Sequence, residues 1–133
     1  MGTLLGFDFG PRKIGVAVGQ TITGSATPLT TLRSRGERPD WPAIERLVRE
    51  WRPNAAVVGL PFNMDDSETE LAPRARRFAR QIEGRFGLPV HLVDERLTTL
   101  EARGRLGKNG AAGAGLDAMA AKLILETWLS ERH

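Results

Sequence analysis

Four acidic side chains stand beside apolar segments, where an uncompensated charge is costly. Asp8 interrupts the apolar sequence "LLGFDF", Asp94 and Glu95 follow "PVHLV", and Asp117 opens the apolar stretch "LDAMAAKLILETWL". Carboxylates that meet in a partly buried place repel one another and lose hydration. They take up protons, are neutralised by arginines, or bind a cation. A hard divalent ion such as Mg²⁺ or Mn²⁺ prefers oxygen ligands, and two such ions can promote phosphodiester hydrolysis.

Each of these acids also has a simpler interpretation. Asp8 could be a turn residue before "GPRK", and Asp117 could complement the dipole at a helix N-terminus. Asp94 or Glu95 could form an ion pair with Arg96 at the end of a strand. The spacing of any single acid is therefore weak evidence, and the metal hypothesis depends on their joint placement.

The spacing of apolar residues predicts the elements that carry these acids. Asp40 and Pro42 are typical of a helix start, and Thr98 with Glu101 has the spacing of a capping box for a short additional helix. Strands are predicted at about 3–9, 14–19, 25–32, 55–60 and 89–94, and longer helices at about 41–51, 71–86 and 115–130.

This order of elements, β-β-β-α-β-α-β-α-α, predicts an α/β fold in one domain over residues 1–133. A meander followed by βα units implies a five-stranded mixed sheet with helices on both faces. The first, fourth and fifth strands would be parallel, and sites in such sheets form at the carboxyl ends of the strands. Asp8, the pair Asp94 and Glu95, and Asp117 can all reach that end.

Composition narrows the class of protein further. The 133 residues carry a net charge of +3 and no cysteine, which excludes disulfides, thiolate-bound zinc and cysteine nucleophiles. Residues 71–105 contain eight arginines against four acids, a balance that permits nucleic-acid binding. No apolar run is long enough to span a bilayer, and no signal peptide is recognisable, so we expect a cytoplasmic protein.

Four segments together resemble the signature blocks of one family. They are "DFGPRKIGVAV", "VVGLPFNMDDSET", "VDERLTT" and "LDAMAAKLILETWL". The chain resembles the YqgF family, bacterial ribonuclease H-like proteins described as Holliday junction resolvases or pre-16S rRNA nucleases. The resemblance implies a ribonuclease H-like fold and a two-metal nuclease site that uses Mg²⁺ or Mn²⁺. Its catalytic and metal-binding acids would be Asp8, Glu95 and Asp117, with Glu95 preferred to Asp94 because the "DER" block centres on it.

This chain departs from the usual family pattern at two places. Gly19 and Gln20 stand where Ser-Asp is common after the second strand, and Asp66 replaces the glycine of an "NMDG" turn. Neither departure touches the three proposed ligands, although both affect expected substrate contacts.

Basic residues near the acids would bind a phosphate-bearing substrate. Arg12 and Lys13 lie on the first predicted hairpin, Arg96 follows the acidic pair, and Lys108 lies in the glycine-rich segment "GKNGAAGAG". A salt bridge to Asp94 is the simpler role for Arg96, and solvation is the simpler role for Lys108.

The activity that the resemblance implies is metal-dependent cleavage of structured nucleic acid, with the processing of pre-16S rRNA ends as the first expectation. One alternative is a resolvase-type endonuclease on branched DNA, which would act as a homodimer to cut two strands symmetrically. Another is a non-catalytic RNA-binding protein on the same fold. A nucleotide-binding module of the actin-like sugar kinase type also begins with "D-x-G". Such kinases need a second domain that closes over ATP, which we do not expect within 133 residues.

Overall fold

The computed structural model describes residues 2–60, 70–94 and 114–131. The strands in these ranges are β1 (Thr3–Phe9), β2 (Lys13–Gln20), β3 (Ser25–Arg33), β4 (Ala55–Leu60) and β5 (Val90–Asp94), and the helices are α1 (Trp41–Trp51), α2 (Ala72–Phe86) and α3 (Ala114–Ser130). The predicted elements therefore agree with the structure to within about two residues at each end. The short helix expected from Thr98 lies outside the described residues.

The strands form one mixed sheet with β1 at its centre. The order is β3-β2-β1-β4-β5, with β1 antiparallel to β2 and parallel to β4, and with β5 parallel to β4. This arrangement confirms the predicted five-stranded mixed sheet. Because β1 is central, its residues alternate between two covered faces, and every residue of neighbouring β4 is buried.

Helices α1 and α2 cover the first face of the sheet. Alternate residues of β1 (Leu5, Phe7 and Phe9) enter this core, where the Phe78 ring of α2 meets the Phe7 ring edge-on at 5.5 Å. Helix α1 begins as the sequence predicts, because the Asp40 side chain accepts a hydrogen bond of 3.1 Å from the Ala43 amide.

Helix α3 covers the second face and packs mainly across β1, β2 and β3. Ala121 and Ile124 of the apolar stretch that Asp117 opens are fully buried on this face. Leu125 and Leu129 are buried too, since this helix is apolar on most of its circumference. None of the described helices is both long enough and apolar enough to cross a membrane.

Strand β3 is the outer strand beyond β2, and its pairing is irregular. Val16 pairs with Thr30 while Ala17 pairs with Pro28, so Leu29 is an extra residue and the register shifts at this point. Proline has no backbone N–H, which suits an edge strand.

Candidate active site

Asp8 lies at the carboxyl end of the central strand on the face covered by α3. Its neighbours Phe7 and Phe9 both enter the core beneath α1 and α2, so the pleat directs Asp8 to the opposite face. The residue is half-buried, and the antiparallel register places it directly opposite Gly15 of β2.

Gly15 is a point where the backbone of α3 approaches the sheet very closely. A β-carbon at this position would overlap the carbonyl oxygen and carbon of Asp117 and would lie 3.0 Å from the Ala118 nitrogen. These are backbone atoms, so only glycine fits without moving the helix. The first turns of α3 therefore rest on β2 beside Asp8, and two acids distant in sequence share one corner of the sheet.

The Asp117 carboxylate is poorly compensated at this corner. Its Oδ2 atom is buried and has no hydrogen-bond partner among the described residues. The Lys13 ammonium, at the start of β2, lies 3.9 Å from Oδ2, within ion-pair range but beyond hydrogen-bond length. Burial raises the pKa of the Asp117 carboxyl above its usual value, and the nearby Lys13 charge opposes this effect without cancelling it.

The structure separates Asp94 from the other two acids. Asp94 pairs in register with Leu60, whose side chain lies in the core under α1 and α2, whereas the preceding Val93 faces α3. Asp94 is therefore on the face opposite to Asp8, and it makes its own interaction within the chain. The described part of the chain therefore does not bring Asp94 to the corner shared by Asp8 and Asp117.

Of the basic residues predicted for the site, the structure describes Arg12 and Lys13. Arg12 is exposed in the turn after β1, where its carbonyl accepts a 2.9 Å hydrogen bond from the Ser34 amide. Lys13 begins β2 at the same end of the sheet. Glu95, Arg96 and Lys108 lie outside the described residues. Within the described ranges, no group of three or more histidine, cysteine or acidic side chains could hold a metal ion.

Two features of this corner were not foreseen from the sequence. One is the role of Gly15, and the other is the ion pair between Lys13 and Asp117. A glycine inside the apolar run "IGVAV" was the available signal, since glycine in a strand interior often marks a close backbone approach. No local pattern links Lys13 to a residue so far along the chain.

Comparison with solved structures defines the class of fold. The chain is similar to Thermus thermophilus RuvC in complex with a Holliday junction substrate, with a TM-score of 0.58, 18% identity, and coverage of 98% of this chain and 95% of that one. It is also similar to the Fowlpox virus resolvase in complex with Holliday junction DNA, with a TM-score of 0.57, 11% identity and 98% coverage of both chains. The fold is therefore the ribonuclease H-like fold of RuvC-type resolvases.

Sequence comparison places the chain within one family of that fold. The family model described as "RuvX: Holliday junction resolvase" matches residues 2–131. A protein of Azotobacter vinelandii is 58% identical, with 97% of this chain and 94% of that protein covered, and one of Nitrosococcus oceani is 56% identical, with 98% and 88% covered. Both are named "Putative pre-16S rRNA nuclease". The chain belongs to the RuvX family, which is the YqgF family expected from its motifs. The members of this family are nucleases, which act on phosphodiester bonds.

Proposed function

We propose that this chain hydrolyses phosphodiester bonds by a two-metal-ion mechanism and that its substrate is the ends of pre-16S rRNA. The carboxylates of Asp8, Glu95 and Asp117 would be its catalytic and metal-binding groups. The observation that carries the proposal is the contact of the Asp117 backbone with Gly15, directly across from Asp8. Family membership and the names of the close relatives support the same reaction class.

The donors at this corner suit a hard divalent cation. The two described donors are carboxylates, and the buried Oδ2 atom of Asp117 has an unused acceptor site. Asp8 and Asp117 would hold Mg²⁺ or Mn²⁺, with Glu95 as the third ligand. When bound, such ions would lower the pKa of a water molecule and stabilise negative charge on the leaving oxygen.

The side chains around the acids would bind and orient the substrate. Lys13 offsets part of the charge of Asp117 in the free protein and stands where a phosphate would approach. Arg12 is exposed on the adjoining turn, and Arg96 and Lys108 would add further phosphate contacts. Water would be the nucleophile, so no covalent intermediate with the protein would form.

The relatives' names favour RNA as the substrate, and the family description favours a second candidate. A Holliday junction is the substrate given for the family model and the ligand in two similar structures. A resolvase of this kind would act as a homodimer, so that two active sites cut opposing strands. A role in rRNA maturation would place the protein in the cytoplasm.

The test is a cleavage assay on both substrates side by side. Precursor 16S rRNA ends and a four-way DNA junction would be incubated with the protein in Mg²⁺, in Mn²⁺ and in EDTA. Asp8→Asn should abolish cleavage with either metal without unfolding the protein. Glu50→Gln is the matched control, because it removes one carboxylate charge from an exposed position on α1.

The two substrates and the metal site are separable in this assay. Cleavage of the RNA alone would support rRNA processing, and cleavage of the junction alone would favour the resolvase activity. Undiminished cleavage by Asp8→Asn, or full activity in EDTA, would contradict the metal site.

A further inference from the structure

A groove rich in arginine lies on the sheet face opposite to α3. Two adjoining cavities of about 680 and 340 Å³ share Arg38, Trp41 and Arg85 in their walls. They run between the connection that follows β3 and the outer side of α2. We call this feature the arginine groove and define it by its six cationic residues: Arg33, Arg35, Arg38, Arg74, Arg77 and Arg85.

Each acid that lines the same groove already has an ion-pair or hydrogen-bond partner. Glu37 forms an ion pair of 3.3 Å with Arg74, and Glu45 forms one of 2.7 Å with Arg49. Asp40 caps helix α1. No ion pair forms, within the described part of the chain, at five of the groove's six cations: Arg33, Arg35, Arg38, Arg77 and Arg85. The groove therefore keeps a surplus of positive charge.

The backbone and ring contacts around these arginines fix where they are presented. Arg35 and Arg38 each donate a backbone hydrogen bond of 2.9 Å to the other's carbonyl, and Gly36 supplies the positive φ of 59° that this tight turn requires. On the other wall, the Arg85 guanidinium lies 4.2 Å from the centre of the Trp41 ring. Backbone hydrogen bonds thus hold the turn that carries Arg35 and Arg38, and a ring contact holds the Arg85 side chain on the other wall.

The groove reaches the same end of the sheet as the acids. Phe9 lines the smaller cavity and directly follows Asp8 in β1, and the Arg74 guanidinium lies 5.8 Å from the centre of its ring. A polyanion could therefore pass around the end of β1 from one face to the other.

We propose that the arginine groove binds the phosphodiester backbone of a nucleic acid, at a position separate from the acids. Guanidinium groups match phosphate oxygens in pairs, and Arg is the preferred residue for such contacts. Several unpaired cations along one groove suit a chain of phosphates better than a single small anion. The assignment depends on the charge and shape of this face and is independent of the chemistry proposed at Asp8 and Asp117.

The experiment measures binding by fluorescence anisotropy in EDTA, where metal-dependent cleavage does not occur. The probe is a fluorescein-labelled RNA hairpin with single-stranded tails, titrated between about 50 and 200 mM salt. The double variant Arg35→Ala/Arg38→Ala removes two cations from an exposed turn. Its affinity at low salt should fall about tenfold, and the slope of log K against log salt should decrease by about 1 to 2.

The matched control is Arg46→Ala/Arg80→Ala, which removes the same charge from two exposed arginines outside the groove. It should change the affinity less than twofold. An equal loss in both double variants would mean that only net charge matters, and no loss in the groove variant would likewise overturn the assignment. Arg33→Ala provides a second groove variant if the turn variant has a lower melting temperature.

Two further outcomes bear on the identity of the ligand. Poly-L-glutamate serves as a probe for an acidic protein partner. If the groove variant loses affinity for poly-L-glutamate but keeps its affinity for RNA, an acidic protein is the partner and the assignment is wrong. Groove-dependent RNA binding by a wild type that cleaves nothing would contradict the proposed function and support the groove.

Discussion

The substitution Gly15→Ala tests whether the contact between β2 and α3 positions the acids. The added methyl group would overlap the carbonyl group of Asp117 and touch the Ala118 nitrogen. Restoring an ordinary contact of about 3.5 Å would move the first turn of α3 outward by roughly 1 Å or more. The rest of the helix is anchored by Ile124 and Leu125, both fully buried, so we expect a local displacement and a folded protein.

The magnitudes follow from this displacement. Overpacking of a close contact costs about 1–3 kcal/mol in the free energy of unfolding. For a chain of this size each kcal/mol lowers the melting temperature by about 4 °C. A misplacement of about 1 Å between reacting groups can reduce the rate about 10²-fold. Cleavage should therefore fall much further than the modest loss of stability would explain.

Gly19→Ala is the control for this experiment. Gly19 lies in the same strand, but its added methyl group would meet the Leu125 and Leu129 side chains at 3.3 Å, and flexible side chains can adjust. Kcat and melting temperature would be measured for both variants. If Gly15→Ala retained wild-type kcat, the inference that this contact sets the position of Asp117 would be refuted.

Three other substitutions have defined outcomes. Burial raises the pKa of the Asp117 carboxyl above 3.8, so the ionised form destabilises the folded protein. Asp117→Asn replaces this carboxyl with a neutral amide and removes that cost. The metal-free variant should therefore gain stability over wild type as pH rises through that raised pKa and gain nothing below 3.8, which urea unfolding at about pH 4 and pH 8 would measure. Lys13→Gln removes a cation beside the same carboxyl, so substrate binding should weaken and its salt slope should fall by about 1 in the anisotropy assay. Asp40→Ala removes the hydrogen bond to the Ala43 amide and should cost about 1 kcal/mol in urea unfolding while leaving kcat unchanged.

Much of the fold follows from local patterns in the sequence. The apolar run at 55–60 predicts a strand, and β4 spans these six residues, all of them buried. Asp40 predicted the start of α1, and its side chain makes the capping bond. In both cases the physical cause lies within a few residues of the signal, so a single sequence is sufficient.

The site is less accessible from the sequence because its geometry depends on long-range contacts. The pleat of β1 indicated that Asp8 differs from its apolar neighbours, but only the register with Gly15 brings it beside Asp117. The position of Asp94 on the other face likewise follows from the pairing and alternation of β5, which a single sequence does not reveal. The arginine groove joins the segment after β3 to α2, and no spacing rule connects those two segments.

The irregular pairing of β3 has a consequence for how copies of this protein can associate. An edge strand can recruit a strand from another molecule only if its outward backbone groups form a continuous series. Pro28 lacks a donor, and the extra residue Leu29 shifts the spacing of the groups that remain. Growth of a continuous sheet from one molecule to the next is therefore disfavoured along this edge. A homodimer of the kind that a junction-cutting enzyme needs is therefore not expected to form by joining two sheets along this edge.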